Sequence, residues 1–223
     1  MEVLHHDEHL FILQMDKPYK AISSAMIHPG IGFYKTFVNR TVLPDYYPSD
    51  ATAEYRQFLE ARQIDVHQTL AMMTAVDQSD LITAIFSDGN TTLTVLLTAG
   101  LGNAVDVTKS QDYTYRTTQG TINIFVFIEA QASDEAMMQA YNCVLEAKTK
   151  VLIDKKVLDK VSGTVATGTS TDSIAVAFRN EGEYHEYGGS ITRLGSLIGK
   201  GVAETLAKAV DRYNDFIRQK ASI

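Results

Sequence analysis

The residues best suited to chemistry lie in three short polar segments, each beside an apolar run. Thr167-Gly168-Thr169-Ser170-Thr171-Asp172-Ser173 packs five hydroxyls and one carboxylate into seven positions. Such a run can orient a polar substrate or present a nucleophile to a base. It is also ordinary turn chemistry, with Ser and Thr bonding the local backbone. The other two segments are Thr98-Ala99-Gly100-Leu101-Gly102-Asn103-Ala104 and Gly120-Thr121-Ile122-Asn123. They place hydroxyls and amides near the ends of predicted strands, where open α/β sheets tend to bind ligands. Gly100-Leu101-Gly102-Asn103 is not a dinucleotide fingerprint, because Val105 follows Ala104 where a third glycine is needed. No Gly-Lys-Ser/Thr occurs either, which excludes a Walker loop.

Lys148 is the oddest single residue. On a helical wheel it falls within about 20° of Met137, in the middle of an apolar stripe. One reading is a stem packed on the core with its ammonium reaching out to water. The other is a charge reaching a site under the sheet, paired with an acid or a substrate oxygen. Glu146 faces the opposite way on the same wheel. The histidines (His5, His6, His9, His28, His67, His185) match no zinc spacing, and neither G-x-S-x-G nor H-E-x-x-H occurs. Cys143 sits inside a predicted helix with no electropositive neighbour in sequence, and reads as a buried structural thiol.

The elements that must position these groups follow from periodicity and punctuation. Residues 9–15 and 19–26 read as short strands separated by Asp16-Lys17-Pro18, and Ile31 to Val42 fits strand or helix. Pro44 to Pro48 reads as a loop, and 51–63 as a helix capped by Ser49 or Asp50. Thr69–Val76, Leu81–Phe86 and Thr91–Leu97 read as strands, with Ser87-Asp88-Gly89-Asn90 a hairpin turn. Gly120–Glu129 reads as a central strand buried on both faces. Ser133 to Leu152 is the clearest helix, with Ser133 as cap and Asp134 and Glu135 at the positive end of its dipole. Thr164–Thr167 and Ile174–Phe178 read as strands around the hydroxyl-rich turn. Thr192 to Lys220 reads as a long closing helix whose Gly195, Gly199 and Gly201 permit close backbone approach. The fold class is therefore mixed α/β, one domain over residues 1–223, with a partly antiparallel sheet packed by helices.

Composition agrees. The chain has 223 residues, 45% apolar and 21% charged, which excludes fibrous and disordered classes. A net charge of -7 argues against a nucleic-acid footprint. A single cysteine removes any intramolecular disulfide. No signal-peptide pattern and no apolar run of membrane length is present, so the expected location is the cytoplasm, with no membrane insertion. The glycine-lined face of the last helix can pack within the chain or against a second copy, so a homo-oligomer is possible.

Taken in order, the segments resemble the adenosylcobinamide amidohydrolases of corrinoid salvage. The likeness rests on Ser23-Ser24-Ala25, Met73-Thr74-Ala75-Val76, Thr98 to Ala104, and Gly120-Thr121-Ile122-Asn123-Ile124. It continues through Glu146-Ala147-Lys148-Thr149, Thr164 to Ile174, Tyr187-Gly188-Gly189 and Leu194 to Gly199. One stretch departs: His28-Pro29-Gly30-Ile31-Gly32 stands where the family has an Asn-Gly-Gly-like turn. The resemblance implies hydrolysis of the amide joining the corrin propionyl side chain to aminopropanol, giving adenosylcobyric acid and 1-amino-2-propanol. It implies a corrinoid small-molecule substrate whose cobalt belongs to that substrate, and no evident cofactor of the protein's own. On the matched segments, Asp172 is the candidate base, and Thr169, Ser170 and Thr171 are nucleophile or positioning groups. Glu146 and Lys148 are a candidate acid and its charge partner. Thr98, Asn103, Thr121, Asn123, Thr167 and Thr169 are candidate substrate-binding residues. The competing readings are a non-catalytic corrinoid-binding protein, an amidohydrolase acting on complete corrinoids, and an unrelated interaction domain.

Overall fold

A computed structural model describes residues 1–43, 46–112 and 120–221. In chain order its elements are β1 (Glu2–His6), β2 (Leu10–Ser23), β3 (Gly30–Thr41), α1 (Ala51–Ala61), β4 (Thr69–Thr74), β5 (Ile82–Asp88) and β6 (Thr91–Ala99). They continue with β7 (Ala104–Val105), β8 (Ile122–Ile128), β9 (Gln131–Ala132), α2 (Asp134–Asp154), β10 (Gly168–Thr169), β11 (Ser173–Phe178), β12 (Tyr184–His185) and α3 (Arg193–Ala221). The main sheet runs β4-β3-β2-β11-β8-β6-β5, with β1 against β2. β11–β8 and β3–β4 are parallel and the other neighbours antiparallel. The mixed α/β class, the helices and the central position of β8 agree with the sequence.

β8 shows why the sheet is buried on both sides. Ile122, Ile124, Val126 and Ile128 face one cluster with Met137 and Val144 of α2 and Ile198 and Val202 of α3. Phe125 and Phe127 face the other way, onto Phe37, Leu70 and Met72. Period-two alternation with apolar residues on both faces is the pattern of an inner strand. The sheet curls around that second cluster until β4 reaches β8, where Asn123 Nδ2 donates to Met73 O at 3.0 Å. α1 covers the outer face of β2 to β4 with Tyr55 and Leu59. Its cap is Asp50, whose carboxylate accepts from Ala53 N.

Two expectations change. β2 is one 14-residue strand rather than two. The residues around Pro18 are absorbed in a register shift between Gln14 and Tyr19, a bulge that accommodates a residue with no ladder donor. Residues 164–167 form no strand, only an isolated bridge from Val165 to Leu158. Thr164 instead donates to Asp106 Oδ2 at 2.6 Å and supplies a carbonyl to Asp159 N. These bonds replace a ladder, and the Thr164 hydroxyl, with the Thr108 hydroxyl and N–H, holds the Asp106 carboxyl below the usual range. Pro44 and Asp45, in the stretch read as a loop, lie outside the described residues.

The glycines of α3 divide. A Cβ on Gly195 would lie 2.0 Å from Gly189 O, and one on Gly201 2.5 Å from Leu93 Cδ2, whereas one on Gly199 would meet nothing. Gly195→Ala must therefore push two backbones apart, with an expected loss of about 3 kcal/mol. Gly199→Ala should gain about 0.5–1 kcal/mol from helix propensity. Urea denaturation of the two variants checks the opposite signs.

Candidate functional site

The β-ladder brings the three polar segments to one end of the sheet. β7 pairs with β10, setting Ala104 opposite Thr169. β8 and β11 run parallel with Asn123 beside Ser173. Asp172 thus lies just before β11 and next to the first residues of β8. The Ser23-Ser24 pair ties the end of β2 to the start of β11. Ser24 N donates to Ile174 O at 2.9 Å, and Ile174 N donates to Ser24 Oγ at 3.1 Å.

Asp172 is the centre of the cluster. Its Oδ2 accepts from Lys148 Nζ and from Thr169 N at 3.1 Å. Its Oδ1 accepts from the Thr169 hydroxyl and from Ile122 N at 3.1 Å. Four donors engage the roughly four lone-pair positions of a carboxylate. Lys148 comes up from α2, and its side chain is 7% exposed. The apolar-stripe lysine is therefore paired with an acid rather than reaching out to water, because Gly168 leaves room for the ammonium. A Cβ there would lie 2.7 Å from Asp172 Oδ2 and 2.8 Å from Lys148 Nζ.

Beside this pair, Asn103 Nδ2 donates to Ser170 Oγ at 2.8 Å and Thr171 Oγ1 at 3.3 Å, while Ser170 N donates to Asn103 O. Thr171 Oγ1 donates to Gly120 O at 2.9 Å, and Thr121 Oγ1 to Thr171 O at 2.7 Å. Ser170 and Thr171 are exposed and Thr169 is buried. Hydroxyls at a solvent-facing rim over a buried ion pair can engage a polar group of a substrate.

Not every sequence-predicted residue joins this cluster. Glu146 is exposed, on the face of α2 turned away from Lys148, as the wheel required. Thr98 and Asn123 are fully buried on the curled face of the sheet, where alternation along β6 and β8 turns them away. There Asn123 Nδ2 donates to Asn39 Oδ1 at 2.7 Å, and Asn39 Nδ2 to Thr98 Oγ1 and Gln78 Oε1. This internal network ties β8 to β3. Thr121 is buried with its hydroxyl spent on the loop. Thr167 ties the small hairpin together: its Oγ1 accepts from Val107 N at 3.1 Å. Gly168, Ser23 and Ser24 carried no assigned role in the sequence reading. The signal for Gly168 was a glycine inside a run of β-branched residues, which marks close approach. Cys143 is buried, donates weakly to Gly188 O, and burial pushes its thiol up.

A separate cleft of about 1410 Å³ lies between α1 and β1 to β3, with Arg40, Tyr46 and Phe58 in its wall, and holds none of these residues. Among the described residues no group of three His, Cys, Asp or Glu side chains converges. No helix among them is long and apolar enough to cross a membrane.

Among solved structures, the chain is similar to the PH0078 protein from Pyrococcus horikoshii OT3, with TM-score 0.45 and 10% identity over 90% of this chain and 77% of that one. It is also similar to a Burkholderia sp. beta-aminopeptidase, with TM-score 0.43 and 10% identity over 93% and 82%. Neither likeness is close enough to bear on the chemistry. An uncharacterized protein of Methanocaldococcus jannaschii is 34% identical over 92 residues, 41% of this chain and 36% of that protein, so the match spans about a third of that relative. The adenosylcobinamide amidohydrolase of Methanosarcina mazei is 25% identical over 203 residues, 86% of this chain and 90% of that one. The family model described as adenosylcobinamide amidohydrolase matches residues 1–217. With nearly the whole chain matched, and with three of the segments that carried the resemblance meeting at one end of the sheet, this chain belongs to the adenosylcobinamide amidohydrolase family.

Proposed function

We propose that the protein hydrolyses the amide between the corrin propionyl side chain and aminopropanol of adenosylcobinamide. Water supplies hydroxyl to the acyl carbon and a proton to the departing amine, giving adenosylcobyric acid and 1-amino-2-propanol. The product can re-enter coenzyme assembly, so the reaction serves salvage of cobalamin precursors in the cytoplasm.

One observation carries the reading. The Thr169 hydroxyl donates to the Asp172 carboxylate, which Lys148 and two backbone N–H groups hold in place. A hydroxyl on a base that a third group orients is the arrangement nucleophilic and general-base catalysis need. With its other positions engaged, Asp172 acts through the Thr169 hydroxyl, which attacks or holds the attacking water. This narrows the base role, since no position of the carboxylate is left for a distant water.

The test incubates purified protein with adenosylcobinamide and follows the mixture by liquid chromatography–mass spectrometry. Adenosylcobyric acid and 1-amino-2-propanol should appear in equal amounts. Corrinoid that stays bound and intact would instead make this a binding protein, and the hydrolase reading would be wrong.

A further inference from the structure

We propose that the Ser170 hydroxyl donates a hydrogen bond to the carbonyl oxygen of the scissile amide, its proton aimed outward by Asn103. This rests on the hydrolase reading above and gives Ser170 a role distinct from that of a nucleophile.

The direction of the hydrogen bonds carries the argument. Thr171 Oγ1 lies 2.9 Å from Gly120 O. A carbonyl only accepts, so the Thr171 proton points there. Thr171 therefore offers a lone pair to Asn103, and the end of the Asn103 carboxamide that faces it must be the NH2. That same Nδ2 reaches Ser170 Oγ at 2.8 Å. Ser170 is thus an acceptor on its inner side, and its own proton must point elsewhere. No acceptor among the described residues takes it, and the side chain is exposed.

The opposite end of the carboxamide bears the cost of this direction. Asn103 Oδ1 is buried without a partner, an arrangement native structures rarely keep. Turning the amide round would set its oxygen against the Thr171 lone pair, so the fold holds the NH2 towards the hydroxyls. Gly120 makes the space, since a Cβ there would lie 2.6 Å from Asn103 Oδ1. An outward O–H fixed before substrate arrives is the kind of preorganised donor that stabilises a developing oxyanion. Ser170 lacks what a nucleophile needs, because its inner neighbour is a donor and the lone pairs of Asp172 are engaged. The step is hydrogen-bond donation alone, with no proton transferred from Ser170.

Turnover of adenosylcobinamide by the wild type and four variants tests this. Ser170→Ala should lower kcat by about 10²–10³-fold with KM changed less than about threefold. Asn103→Asp reverses the direction, because a carboxylate facing Ser170 captures its proton. That variant should lose as much as Ser170→Ala, and the double variant should lose little more. Ser170→Thr keeps a hydroxyl and should restore most of the activity even if Asn103→Asp does not fold. Intact-protein mass spectra should show no acyl adduct. If Ser170 attacks, Asn103→Asp gives it a base, activity holds or rises, and an acyl-serine accumulates. That result overturns the proposal, as does an unchanged kcat in Ser170→Ala while the wild type turns over. A wild type without turnover removes the hydrolase reading and this role together.

Discussion

Asp172→Asn should lower kcat by about 10³-fold and cost about 3 kcal/mol of stability. Both effects have one source. The carboxylate accepts from four donors, and an amide replaces one accepting oxygen with an NH2 that must face a donor. Either the Thr169 hydroxyl loses its acceptor or the Lys148 ammonium does. The pair is buried, with side chains 7% and 11% exposed, so the surviving charge has little water to turn to. A surface ion pair would cost at most about 1 kcal/mol. Lys148→Met removes that charge with little change of shape. Combined with Asp172→Asn it should recover about 2 kcal/mol of the loss while leaving the enzyme inactive. Urea denaturation of the four-protein cycle and product formation measure the two effects separately. Additive stabilities, or near-normal turnover in a folded Asp172→Asn, would remove Asp172 from the centre of the site.

Gly168→Ala should lower turnover by about 10²-fold and stability by about 1–3 kcal/mol. The added methyl would meet Asp172 Oδ2 at 2.7 Å and Lys148 Nζ at 2.8 Å. The ammonium ends a flexible stem and can give way. The carboxylate is fixed from four sides, and any shift moves the Thr169 hydroxyl with it. Misplacing a reacting group by about an ångström is enough for a loss of this size. Lys148→Met leaves the carboxylate in the way of the methyl and without its counter-ion, so in the Gly168→Ala background it should restore neither stability nor activity. Turnover of Gly168→Ala equal to wild type would show that the ion pair does not need its present geometry.

Much of this was determined by the sequence alone, where the deciding physics is local. Alternation in residues 122–128, a cap at Ser49 or Asp50 and another at Ser133, the Asp88-Gly89 turn and the apolar stripe of residues 137–152 specify their elements through neighbours one to four residues away. The wheel put Lys148 among apolar residues and Glu146 opposite, and both positions hold. The order of the polar segments pointed to the family that the match over residues 1–217 shows.

Only the tertiary structure decided which of the polar residues meet. Thr98, Asn123, Thr169 and Asp172 look alike in sequence as polar residues near strand ends. The pleat of β6 and β8 turns Thr98 and Asn123 into an internal network with Asn39 and Gln78, while the pairing of β7 with β10 sets Thr169 over Asp172. Lys148 had two open readings because its partner lies 24 residues away and on another element. Residues 164–167 have strand composition, but Thr164 binds the carboxylate of Asp106 and the backbone of Asp159 instead of joining a ladder, a choice set by other segments of the chain. Side-chain type and spacing fix what each element is. Register, pleat and the room left by Gly168 and Gly120 fix which hydroxyl faces a base and which faces solvent.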